Sequence, residues 1–153
     1  MKELRDQNKS KKNNKKNKYA NTSREDIINQ ADKFYSEGNT SEAEKYYQLF
    51  LNEGFSDARV SMKLGQILYN QGKIKEAEQS LEKAIELNPY YADAHYTLGI
   101  ILGNLGKSQE EEVSYRKAIE IKPNFAHAHL NLGIILRDIG TLKEAEQSLK
   151  KAT

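Results

Sequence analysis

The sequence predicts an all-α fold, a stacked array of helical hairpins, and three observations predict it. Gly65, Gly99 and Gly133 are 34 residues apart, and Leu64, Leu98 and Leu132 keep the same step, as do Gly72, Gly106 and Gly140. A fixed period of that length marks a repeat architecture whose units bury their apolar faces only by stacking. Each period holds two runs of helical apolar spacing separated by a glycine, at Gly38, Gly72, Gly106 or Gly140. Pro89 and Pro123 fall just after second runs, where a missing N–H is harmless and further helix is blocked.

The elements follow in order. Residues 1–22, MKELRDQNKSKKNNKKNKYANT, have no helical apolar face and are expected to form a disordered, basic Lys/Asn-rich leader. Order should begin at Thr22 or Ser23, because Thr22–Glu25 and Ser23–Asp26 both have capping-box spacing. Four units are then expected: a divergent one over 24–57, two full ones over 58–91 and 92–125, and an incomplete one over 126–153. Their first helices start at Arg24, Ala58, Ala92 and Ala126. The residues before the prolines, Asn88 and Lys122, are expected to be extended.

A packing logic runs through the register. Ala31, Gly65, Gly99 and Gly133 let each first helix approach its partner, and Ala43, Ala77 and Ala145 supply a small face on the second. Phe34, Leu68, Leu102 and Leu136, with Tyr47, Leu81, Tyr115 and Leu149, are expected to fill the flanks. A helical glycine costs about 1 kcal/mol relative to alanine, so three in register imply a steric reason. The third unit departs from this pattern: Glu111 stands where the others have alanine, which should loosen that pair, and Glu111→Ala is expected to raise the melting temperature. In the last unit Leu142, Ala145 and Leu149 are expected to leave an apolar edge. That edge implies either a fragment of a longer repeat protein or self-association through the uncapped end.

Charge separates the leader from the rest. Residues 1–20 carry eight basic and two acidic side chains, so with a chain net of +2 the remainder is −4. The folded part is thus no general anion binder. A solvated leader is preferred to one that binds nucleic acid or an anionic membrane through residues 1–20, since arginine is scarce and only Tyr19 could stack on a base. Without cysteine there are no disulfides or thiolate metal sites. No apolar run reaches the roughly 20 residues a transmembrane helix needs, and no secretory signal is present, so the expected compartment is cytoplasmic.

The chemistry-bearing residue types form no catalytic pattern. His127 and His129, two apart on a helix, point in opposite directions and share no metal. His95 and His129 hold equivalent places and are expected to be structural, and no metal or cofactor site is expected. The clusters Glu42/Glu44 and Glu110–Glu112 read as solvated helix faces. The fragment GNLGKS, residues 103–108, lacks phosphate-loop spacing and follows no strand. No catalytic residues are expected, and the chain is not expected to be an enzyme.

The runs LGQILYNQGKIKEAEQSLEKAIELNP (64–89), LGIILGNLGKSQEEEVSYRKAIEIKP (98–123) and LGIILRDIGTLKEAEQSLKKA (132–152) resemble tetratricopeptide repeats (TPR). The resemblance covers 24–153, most closely from 58 onward. It implies a right-handed TPR superhelix, an α-solenoid of helix-turn-helix hairpins whose first helices line a concave groove. The implied function is a non-catalytic protein–protein interaction module, a scaffold or adaptor binding a peptide segment there. The groove candidates are Ile28, Met62, Tyr96 and Leu130 as an apolar stripe, flanked by Asn29, Lys63, Thr97 and Asn131, with Tyr35 and Tyr69, then Asn70 and Asn104. Apolar pockets beside amides suit an extended peptide.

The resemblance has two specialised versions. Chaperone-binding TPRs grip a C-terminal carboxylate with several cations, and neither possible register assembles that set here, so a chaperone terminus is not the expected partner. The other is a regulatory or substrate-binding segment of a larger transferase system resembling the O-linked glycosyltransferases, whose groove carries an asparagine ladder. Asn29 and Asn131 match such a ladder; Lys63 and Thr97 break it.

Overall fold

The computed structural model describes residues 22–138 and 140–153; residues 1–21, almost the whole of the expected leader, lie outside the described residues. Among the described residues there are eight helices and no strand. These are α1 (Arg24–Ser36), α2 (Thr40–Asn52), α3 (Ala58–Asn70), α4 (Ile74–Leu87), α5 (Ala92–Asn104), α6 (Ser108–Ile121), α7 (Ala126–Asp138) and α8 (Leu142–Ala152). The first helices start at the four residues the period marks. The chain divides into two compact units, one ending at Phe50 and one covering Leu51–Thr153.

In the first unit, Ser23 caps α1. Its hydroxyl accepts from the Asp26 amide at 3.2 Å and the Asp26 carboxylate accepts from the Ser23 amide at 3.2 Å, so the second of the two capping boxes forms. Tyr47 is buried and donates from its hydroxyl to Asp32 at 2.6 Å, which ties α2 to α1. Phe34 lies 5.5 Å from Tyr46, and Arg24 sits 5.6 Å over the Phe50 ring.

The second unit is a stack of three hairpins: α3 with α4, α5 with α6, and α7 with α8. It is joined by packing of α4 on α5 and α6 on α7, and α3 also touches α5. Asp57 opens α3, accepting from the Arg59 and Val60 amides at 2.8 and 3.3 Å. Each hairpin turns through a glycine of positive φ, 76° at Gly72 and 72° at Gly106. The following amide reaches back to the helix, Lys73 to the Leu68 carbonyl and Lys107 to the Leu102 carbonyl, both at 2.9 Å. That is the Schellman closure, which satisfies carbonyls a helix end would otherwise orphan. Asn88 (φ −143°, ψ 91°) and Lys122 (φ −128°, ψ 88°) are extended before their prolines.

The helical glycines have a steric cause. A Cβ on Gly65 would lie 2.9 Å from Leu81 Cγ, one on Gly99 2.6 Å from Tyr115 Cε1, and one on Gly133 2.7 Å from Leu149 Cγ. The large residue of each second helix therefore lies directly on the glycine rather than at its flank, as the sequence pattern had suggested. Buried Leu132, Leu136, Tyr115 and Ala145 form one core cluster, and Ala118, Phe125 and Ala128 another.

The expected C-terminal edge is smaller than three residues. Ala145 is buried and Leu149 is half-buried, because α8 turns both onto Gly133 of α7; only Leu142, 68 % exposed, stays open.

Candidate functional site

The first helices of the second unit bring several of the groove candidates together. Tyr69 on α3 and Asn104 on α5, 35 residues apart, meet in a hydrogen bond from Asn104 Nδ2 to Tyr69 Oη at 2.7 Å. Asn131 on α7 donates from Nδ2 to Tyr115 Oη at 3.2 Å. Tyr96 is the hub of a ring cluster, with centroids 4.8 Å from Phe125, 5.8 Å from Tyr115 and 6.3 Å from His127. Offset and tilted ring pairs at these separations hold one another in place.

Other candidates sit deeper than an accessible stripe requires. Met62 is 7 % exposed and Thr97 9 %, and the Thr97 hydroxyl turns back to the Asp93 carbonyl at 2.8 Å. Both are wall residues in this form, because a first helix has a face wide enough to be half core. Lys63 is half-buried and Asn70 exposed. Ile28 is half-buried, Asn29 exposed, and Tyr35 meets Tyr47 edge-on at 6.4 Å within the first unit.

The exposed apolar surface of the second unit's first helices is centred on Leu130, 43 % exposed, and Ile134, 39 % exposed. They are one helical turn apart on α7 and so share a face. On α5 the same spacing joins Tyr96 to Ile100, which is half-buried against the core. Ile100 and Ile134 are not among the groove candidates read from the sequence; the i, i+4 step from Tyr96 and Leu130 finds both.

Two further residues come from the interior. Glu111 lies on α6 one helical turn before Tyr115, whose hydroxyl accepts from Asn131. It lies against Gly103, where a Cβ would stand 2.6 Å from Oε1. Tyr69 holds the place of Gly103 one repeat earlier, and Ala77 that of Glu111. A small–large exchange between facing helices thus accommodates the carboxylate. Burial raises the Glu111 pKa above its ordinary value, and the nearby Tyr115 hydroxyl opposes this in part. Burial likewise pushes the Tyr115 phenol well above its usual range.

His95 and His129 repeat one device. Their Nε2 atoms bond the carbonyls of Pro89 and Pro123 at 2.9 and 2.7 Å, fixing the inter-repeat turn to the next first helix. Since a carbonyl only accepts, both imidazoles carry their proton on Nε2. Among the described residues no group of three or more His, Asp or Glu side chains is placed to hold a metal ion. Among them, too, no helix is long and apolar enough to cross a membrane.

Three family profiles match the chain: TPR repeat over 65–106, and Tetratricopeptide repeat over 92–125 and again over 114–147. Together they run from 65 to 147. The chain belongs to the tetratricopeptide-repeat family. Its fold is the all-α TPR solenoid, and repeats of this family make it a protein-interaction module. A crystal structure of MamA is similar to it, at 28 % identity, with 85 % of this chain and 76 % of that one covered and a TM-score of 0.79. A MamA structure from Desulfovibrio magneticus RS-1 aligns at 19 % identity over 88 % and 76 %, with a TM-score of 0.77. YrrB, a TPR protein with an unusual peptide-binding site, aligns at 23 % identity over 85 % and 67 %, with a TM-score of 0.74. No curated protein matches the chain.

Proposed function

We propose that this TPR chain is a non-catalytic scaffold or adaptor that holds a peptide segment on the first-helix face of its second unit. The observation that carries this reading is the exposed pair Leu130 and Ile134 on α7, in the register positions that Tyr96 and Ile100 hold on α5. The outer positions of the second helices instead carry ion pairs such as Arg116 with Glu112 and Glu144. Apolar side chains held on a rigid helix and bordered by the amides of Asn104 and Asn131 offer pockets for alternate side chains of a peptide and donors for its backbone. YrrB lends support as a peptide binder on a similar fold, at the level of fold alone. This reading keeps the chain in the cytoplasm, where a cysteine-free repeat needs no oxidising environment.

The test is selection of a phage-displayed peptide library on the intact chain, with Leu130→Asp and Ile134→Asp variants as controls. Both side chains are exposed, so folding should survive. The wild-type chain should enrich related peptides that each variant binds at least about ten-fold more weakly, as loss of a central apolar contact entails. Enrichment of nothing, or peptides bound equally by both variants, would overturn the reading.

A further inference from the structure

The face on α5 and α7 changes character within one repeat. Between α3 and α5, Tyr69 reaches across to Asn104 and bridges the two helices. One repeat on, Gly103 holds the place of Tyr69 and Asp138 that of Asn104, so this bridge is missing between α5 and α7. Gly103 is partly exposed, whereas Gly65, Gly99 and Gly133 are buried. Against it lies the Glu111 carboxylate, in the place where Ala77 and Ala145 put a methyl group.

Glu111 also differs from the half-buried carboxylates Glu78 and Glu112 on the second helices, which are paired. Glu78 pairs with Lys107 at 2.6 Å, Glu112 and Glu144 with Arg116 at 2.7 and 2.8 Å, and Glu120 with Lys117 at 2.9 Å. Among the described residues no Lys, Arg or His pairs with Glu111. Nearby in the register, Asp138 pairs with Arg137 at 3.2 Å, and both ends of that pair are mostly exposed. A half-buried carboxylate without a counter-cation is costly, and an incoming cation recovers that cost.

We infer that the half-buried Glu111 carboxylate over the partly exposed Gly103 is a cation-reading subsite: it takes a Lys or Arg side chain of the bound peptide, with Glu111 as counter-ion and aliphatic neighbours of that residue on Leu130 and Ile134. The inference rests on the groove reading above and gives it a partner chemistry, an apolar segment carrying a single basic residue. Tyr115 lies one helical turn from Glu111 on α6, with its hydroxyl accepting from Asn131 at 3.2 Å.

The experiment uses the intact chain, its Glu111→Gln variant and an immobilised positional-scanning decapeptide library. Wild type should select Lys or Arg at one position and aliphatic residues beside it. Glu111→Gln should keep the aliphatic preference and lose the basic one. In the unmodified chain, replacing the selected Lys by norleucine, which keeps the stem and removes the charge, should weaken binding about ten-fold or more. This arm stands even if the variant folds poorly. Peptides selected without a basic preference, or a preference unchanged in Glu111→Gln with no loss on norleucine replacement, would overturn the subsite and leave the groove standing. Absence of any selected peptide would overturn both.

Discussion

Tyr115 lies so close under Gly99 that a methyl group there would stand 2.6 Å from Cε1 and 2.8 Å from Cδ1 of its ring. The aromatic ring is held on its other sides by Tyr96 and by the hydroxyl bond from Asn131. It cannot swing aside as a leucine can. Gly99→Ala is therefore expected to destabilise the chain by about 1–3 kcal/mol, overpacking outweighing the helix-propensity gain of about 1 kcal/mol. Gly65→Ala meets the flexible Leu81 at 2.9 Å and should cost less. Urea midpoints of the two variants check the order; equal midpoints would contradict it.

The turn glycines fail for a different reason. A Cβ at Gly106 would meet nothing within 4 Å, so space is no obstacle, but φ is 72°. Gly106→Ala should cost about 1 kcal/mol through backbone strain alone. Thermal unfolding should show that loss, and no loss would mean the turn can relax to another geometry.

Glu111 carries a pH signature. Its folded pKa is raised by burial, so the folded chain binds this proton more readily than the unfolded one. The resulting stability is fully present below the unfolded pKa and is lost as pH rises through the folded pKa. Glu111→Gln, which keeps the side chain's shape over Gly103 without the charge, should be more stable than wild type at pH 7. The difference should shrink as pH falls to about 4, near the unperturbed glutamate pKa. Glu111→Ala should fall below Glu111→Gln, because a methyl group opposite Gly103 leaves a gap. This revises the sequence-based expectation of a simple gain on Glu111→Ala. Denaturation curves of the three proteins across that pH range decide it.

The two histidine–proline bonds should differ in weight. His129 is 3 % exposed and bonds at 2.7 Å, whereas His95 is more open and bonds at 2.9 Å. His129→Ala is expected to cost about 2 kcal/mol or more from lost packing and the orphaned carbonyl, and His95→Ala roughly half that. Matching losses in chemical denaturation would show that burial adds nothing.

These outcomes also show what the sequence could reveal. Helix starts at Arg24, Ala58, Ala92 and Ala126, turns at Gly72 and Gly106, and extended Asn88 and Lys122 follow from local stereochemistry, which a period of 34 repeats in plain view. Groove residues do not, because exposure is a property of neighbours. Met62 and Leu130 share a register position, yet one is 7 % and the other 43 % exposed. Glu111 read as a defect because Gly103, eight residues away on the facing helix, was a second departure that only the packed hairpin pairs with it.

The most direct measurement of the central claim is amide chemical-shift mapping of the intact chain titrated with a library-selected peptide. The account predicts shifts that saturate together and cluster at Tyr96, Ile100, Gly103, Leu130 and Ile134. Shifts confined to the outer faces of α4, α6 and α8, or none at saturating peptide, would contradict it.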